Sequence, residues 1–122
     1  MRKKITIGNK EYEMQSSAYT QFKYKDETGR SLIKDLSNIA NRYEKIKDSK
    51  DAVDQYEELD DFLTITLRIA FIMSLEAKSF SGTYEDYLKE IDDYLSNTDW
   101  ISEVVNLAIS PLSRNVQTTQ NQ

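Results

Sequence analysis

Cysteine and histidine are both missing from this sequence. Without cysteine no disulfide can form, so the fold must stand on packing alone, as suits a reducing cytoplasm. The same two absences remove the commonest general base, the best thiol nucleophile and the usual soft or borderline metal ligands. Glycine is scarce, and the three glycines stand apart at positions 8, 29 and 82, so no glycine-rich loop can cradle a phosphate. The single proline, Pro111, leaves long regular elements free to form. A membrane-spanning helix needs about 20 apolar residues. The strongly apolar stretch Phe62 to Leu75 is only 14 residues long and contains Arg68, so it reads as a buried core helix. Basic residues are outnumbered, and the formal net charge of −5 opposes a phosphate backbone. The densest basic run, Arg2-Lys3-Lys4, leads straight into a strand pattern, with no apolar stretch of signal-peptide length behind it. Neither a nucleic acid nor a membrane is therefore expected as a partner.

What is present fits one domain. The 122 residues can bury a real core. The expected fold class is α+β, predominantly α, with an N-terminal β-hairpin and about five helices packed around a central apolar helix. The domain is expected to span residues 1–112, the hairpin lying in 3–15 and the helices in 17–112. Ile5 and Ile7 alternate with polar neighbours, Gly8-Asn9 supplies a two-residue turn, and Tyr12 and Met14 alternate in turn. A lone hairpin is marginal in water, so it either covers the helices of its own chain or offers its edges to another.

Ser16 or Ser17 can cap a first helix from about Ala18 to Thr28, with Tyr19 and Phe22 as its apolar stripe and Gly29 as a left-handed stop. Ser31 can cap the next. That helix carries Leu32, Ile33, Leu36, Ile39, Ala40, Tyr43 and Ile46 at spacings of three and four, with Lys34, Asp35, Asn38, Asn41, Arg42 and Lys45 on the other face. Lys47 to Asp54 reads as a polar loop. Gln55 to Ser79 is helical and apolar on every side, which places it at the bundle centre, with or without a partner interface. Its Thr64, Thr66 and Ser74 can return hydrogen bonds to the backbone. Thr83 with Asp86 makes a capping box for a helix whose inner stripe is Tyr84, Tyr87, Leu88, Ile91 and Leu95. A last helix carries Trp100, Ile101, Val104, Val105, Ala108 and Ile109 and is limited by Pro111. Residues 113–122 form a polar Gln/Asn/Thr-rich tail, expected to be disordered in isolation.

The residues available for chemistry are few. The pairs Glu57/Glu58, Asp60/Asp61 and Asp92/Asp93 point about 100° apart on a helix and cannot converge on one atom. Asp48, Asp51 and Asp54 are spaced three apart, unlike the alternating ligands of a calcium loop. No catalytic residue, metal site or cofactor is expected, and the chain reads as a non-enzyme. Two features suit protein binding. Arg68 sits inside the most apolar run with Thr64 and Ile72 four residues to either side, so it needs a tertiary acid or carbonyl, or else it reaches a partner. Phe80, Tyr84, Tyr87, Tyr94 and Trp100 cluster in sequence and suit either core packing or an interface for an apolar segment.

The order of these elements resembles the tail assembly chaperones of long-tailed phages and prophages of Gram-positive bacteria. The resemblance rests on the opening hairpin ITIGNKEYEM and on YTQFKYKDETGRSLIKDL with its junction Glu27-Thr28-Gly29-Arg30-Ser31-Leu32. It continues through the apolar helix LTITLRIAFIMSLEA before TYEDYLKEIDDYL, and ends at DWISEVVNLAI. It covers roughly residues 4 to 110. The resemblance implies a protein that binds the long helical tape-measure protein, keeps it soluble and helps recruit tail-tube subunits in the bacterial host cytoplasm. Coating a long partner takes many copies, which admits a homo-oligomer. The competing reading is a small acidic phage inhibitor or adaptor that occupies a host protein with Glu85, Asp86, Glu90, Asp92 and Asp93.

Overall fold

Alternation and helical periodicity become two strands and five helices in the expected order: β1 (Arg2–Ile7), β2 (Lys10–Gln15), α1 (Ala18–Thr28), α2 (Leu32–Asp48), α3 (Ala52–Glu76), α4 (Tyr84–Glu90) and α5 (Asp99–Gln120). The computed structural model describes the backbone of residues 1–48 and 52–120 and the side chains of residues 1–41 and 59–112. The fold is α+β and mostly helical. One apolar core draws on every element, from Ile5 and Tyr12 through Tyr24, Leu32, Ile69 and Tyr87 to Trp100. No helix among the described residues is long and apolar enough to cross a membrane.

The hairpin pairs antiparallel with Ile5 opposite Tyr12 and Ile7 opposite Lys10. Its turn puts Gly8 at φ 60°, the left-handed region that glycine enters without a Cβ penalty. Ile5, Ile7, Tyr12 and Met14 are all buried, because β1 lies on α5 and β2 on α3. The hairpin thus covers its own core.

Ser17 caps α1 with a reciprocal Ser17–Thr20 box, and Gly29 closes the helix at φ 72°. The face that α1 buries is not the one its apolar residues predict. Tyr19 and Phe22 are 55% and 64% exposed, while Thr20 and Tyr24 are buried. Polar bonds choose the face. The Glu76 carboxylate at the end of α3 accepts from Ser17 Oγ at 3.0 Å and Thr20 Oγ1 at 2.6 Å, and Tyr24 reaches Asp35. Such charge-assisted bonds outweigh the partial burial of two aromatic rings.

On α2, Leu32 and Ile39 face inward as expected, and Lys34 N donates to the capping Ser31 Oγ at 3.2 Å. Asp35, expected on the solvent face, is instead buried, and Ile33 is 48% exposed. Tyr43 and Ile46 lie outside the described side chains. The expected loop over 47–54 is helical at both its ends, up to Asp48 and from Ala52, and its centre, 49–51, lies outside the described residues. Helix α3 is the central element and packs against β2, α1, α2, α4 and α5. Thr64, Thr66 and Ser74 each donate to the carbonyl four residues back, at 2.8, 2.7 and 2.8 Å.

Thr83 and Asp86 form the expected capping box of α4, but the helix stops at Glu90, where periodicity alone extends it to Leu95. The hairpin turn takes the backbone instead: Asn9 N donates to the Asp92 carbonyl at 3.1 Å, and Asp92 N donates to Asn9 Oδ1 at 2.6 Å. Leu95 is consequently 50% exposed and Leu88 37%. Pro111 does not end α5, whose backbone stays helical to Gln120 through the stretch expected to be a disordered tail. A proline deletes one hydrogen bond, and it need not unwind a helix already propagated to that point.

Candidate functional site

The aromatic residues split into two groups. Phe80, Tyr84 and Tyr87 come together around Phe71, with ring centroids 6.0, 5.5 and 5.5 Å from it, and Tyr12 of the hairpin closes on Tyr87 at 4.7 Å. Tilted and edge-on pairs at these separations are favourable packing. The hydroxyls are satisfied internally. Tyr12 donates to Glu90 at 2.5 Å, Tyr84 donates to the Thr64 carbonyl at 3.2 Å, and Tyr87 and Ser74 share a bond at 3.0 Å. Burial pushes the Tyr12 and Tyr87 phenols far above their ordinary value. Trp100 stands apart, buried, with Nε1 donating to the Tyr94 carbonyl at 2.7 Å. Tyr87 and Trp100 are sealed inside and present no surface to a partner, while Phe80, Tyr84 and Tyr94 are half-buried against the core.

Arg68 finds the tertiary acid its position demands. Asp35 lies beside it, Nη1 to Oδ2 at 3.9 Å. Asp35 also accepts Arg30 Nε and Nη2, both at 2.9 Å, and the Tyr24 hydroxyl at 2.5 Å. Burial works against ionisation of Asp35, but the Arg30 and Tyr24 bonds and the two nearby guanidiniums hold its carboxyl below the usual range. The arrangement locks the α1–α2 junction to α3.

Packing leaves an apolar surface uncovered among the described residues. Helices α2 and α5 both lie on α3, and between them runs a cleft of about 290 Å³. Its walls are Leu36, Ile39 and Ala40 on α2 and Ile101, Val105 and Ile109 on α5, with Phe62 of α3 and the neutral polar Ser102 and Asn106 completing it. Among the described residues no charged side chain lines it, although 30% of the chain is charged. The α5 wall is one helical row, at spacings of four, beside the buried row Trp100, Val104, Leu107 and Ala108. The half-exposed Ile101 and Val105 belong to a helix whose apolar arc is wider than its own core contact requires. That width is the signal that could have marked the cleft. Sequence reasoning pointed to the aromatic residues instead.

Three of the five acidic residues of the competing reading are engaged within the chain, while Asp92 and Asp93 are exposed. Asp86 caps α4, Glu85 pairs with Lys89 at 3.1 Å and Glu90 accepts from Tyr12. Among the described residues no group of three or more acids could hold a metal ion. No protein family, curated protein or solved structure matches this chain.

Proposed function

We propose that this chain is a non-enzymatic holding protein of the tail assembly chaperone type. In this reading it binds an apolar helical stretch of a tape-measure protein in the cleft between α2 and α5. It acts in the bacterial host cytoplasm, with many copies along one long partner, and helps bring tail-tube subunits to it. The observation that carries the reading is the apolar cleft with helical walls, whose described lining holds no charged side chain. A helix laid there presents a stripe at i, i+4 and i+7 to a matching row on α5. Each inserted aliphatic side chain contributes about 1.5–3 kcal/mol. Three anchors, less the cost of association, give a bond that holds the partner in solution and still lets it go. The acidic net charge keeps a multiply coated partner soluble. The inhibitor reading draws less support, because three of its five carboxylates, those of Glu85, Asp86 and Glu90, are engaged within the chain.

The test is co-expression with the tape-measure protein encoded beside this chain. A double variant, Ile101→Asp with Val105→Asp, places carboxylates in the cleft and should weaken retention more than tenfold, since each buried charge costs several kcal/mol. Phe22→Asp, on exposed α1, serves as the control. Circular dichroism checks that the variants fold. If a folded double variant keeps the tape-measure protein soluble as well as the parent does, the cleft is not the holding site.

A further inference from the structure

On the other flank of α2 lies a second, polar pocket of about 210 Å³, bounded by Arg30, Asn38, Asp61, Thr64, Ile65 and Arg68. Its chemistry follows from how Asp35 is shared. Oδ1 accepts Arg30 Nη2, and Oδ2 accepts both Arg30 Nε and the Tyr24 hydroxyl. With its oxygens so occupied, Asp35 keeps Arg68 at 3.9 Å, close enough for Coulomb attraction but beyond hydrogen-bond length. A guanidinium has five donors in a planar fork. That of Arg68 is anchored at one edge, near Asp35 and Tyr24, and its side chain is 21% exposed where it lines the pocket.

Arg30 and Arg68 bring two guanidiniums to the pocket, beside the carboxylates of Asp35 and Asp61, in a chain whose net charge is −5. The neighbours define what can bind. Thr64 spends its hydroxyl proton on the Asp60 carbonyl, and Asp61 is itself partnered. The Asn38 amide can donate, and Tyr84 approaches Arg68 from α4. Two guanidiniums with one amide in a space of this size match a single planar carboxylate.

We propose that this pocket is a carboxylate receptor, with Arg68 as the gripping fork, Arg30 as the second cation and Asn38 as an orienting donor. The carboxylate can come from an acidic side chain of a protein partner or from a free small organic acid. The site is separate from the α2–α5 cleft and stands or falls without it.

The experiment follows arginine Nε–Hε and asparagine side-chain resonances of the full chain by NMR. The probes are sodium acetate, a blocked neutral helical peptide with one glutamate, and sodium chloride at matched ionic strength. Saturable shifts at Arg68, Arg30 and Asn38 with either carboxylate, and not with chloride, are expected. Arg68→Gln should abolish saturation, and Arg68→Lys should weaken it at least fivefold by losing the fork. Tighter binding of the peptide assigns the partner side chain as source, and saturation by acetate alone assigns a free acid. Shifts that stay linear, that chloride reproduces, or that persist unchanged in a folded Arg68→Gln protein would overturn the proposal.

Discussion

Replacing Asp35 by asparagine tests whether a buried carboxylate, rather than the apolar stripe of α2, fixes the α1–α2 junction. Three contributions are lost or weakened. Arg30 is half exposed and can return to water, so its fork is worth about 1 kcal/mol. Tyr24 keeps an acceptor but loses the charge on it, about another 1 kcal/mol. Arg68 suffers most: at about 4 Å and an effective dielectric near 20 the attraction is about 4 kcal/mol, and the desolvation of the two groups offsets about half of it. The expected loss is therefore about 3–4 kcal/mol, against a total stability of about 5–15 kcal/mol.

Urea unfolding followed by the fluorescence of the single, buried Trp100 reads this directly. The midpoint of Asp35→Asn should fall by roughly 2 M with an unchanged slope. The pH dependence supplies a second check. The folded carboxyl titrates below its ordinary value, so its stabilisation is present above that value and disappears as pH falls through the folded one. The gap between parent and variant should be full at neutral pH, begin to shrink near pH 4 and vanish once pH falls below the lower folded value. A gap under about 0.5 kcal/mol at neutral pH, or one that survives in acid, would refute the reasoning.

Two further outcomes follow from backbone crowding and buried phenols. A Cβ on Gly8 would stand 1.8 Å from the Asp92 carbonyl oxygen at a left-handed φ, so Gly8→Ala should cost more than about 2 kcal/mol and expose the Asn9 and Asp92 amides to hydrogen exchange. Gly29→Ala, with open space around it, should cost only the strain of about 1–2 kcal/mol. In an alkaline titration Tyr12, Tyr24 and Tyr87, held neutral chiefly by burial, should not ionise at the ordinary phenol value near pH 10. Their raised values mean stability that is intact below that pH and lost as pH climbs, so their phenolate absorbance should appear together with the unfolding signal.

Local rules made much of the fold legible. Gly8-Asn9, Ser17, Gly29, Ser31 and the Thr83–Asp86 box announce their turns and caps through short-range chemistry, and the structure places each where that chemistry puts it. The all-round apolar α3 announces its central position. Sequence periodicity misleads where a long-range polar bond decides. Glu76 turns α1 onto Thr20 rather than Phe22, two basic side chains and a phenol draw Asp35 inward, and Asn9 ends α4 early. Glu76, Asn9, Tyr24 and Arg68 each lie on or beside another element, outside any local window; only Arg30, five residues before Asp35, is near in sequence. Arg68 is the intermediate case: its need for an acid is visible in the sequence, but the identity of that acid is not.

The apolar cleft was illegible for a different reason. Periodicity tells which side chains are apolar and not whether a neighbouring helix covers them. On α5 two adjacent rows read alike; the fold spends the row Trp100, Val104 and Ala108 on α3 and β1 and leaves Ile101, Val105 and Ile109 facing α2 across open space. Filling that space with larger side chains at Ala40 or Ser102 would suit a chain selected for stability alone. Small residues at its edge, a described lining without charge and a row of branched aliphatics along it keep the cleft both open and apolar. That continuity separates this cleft from the scattered single exposures of Phe22, Ile33 and Leu95.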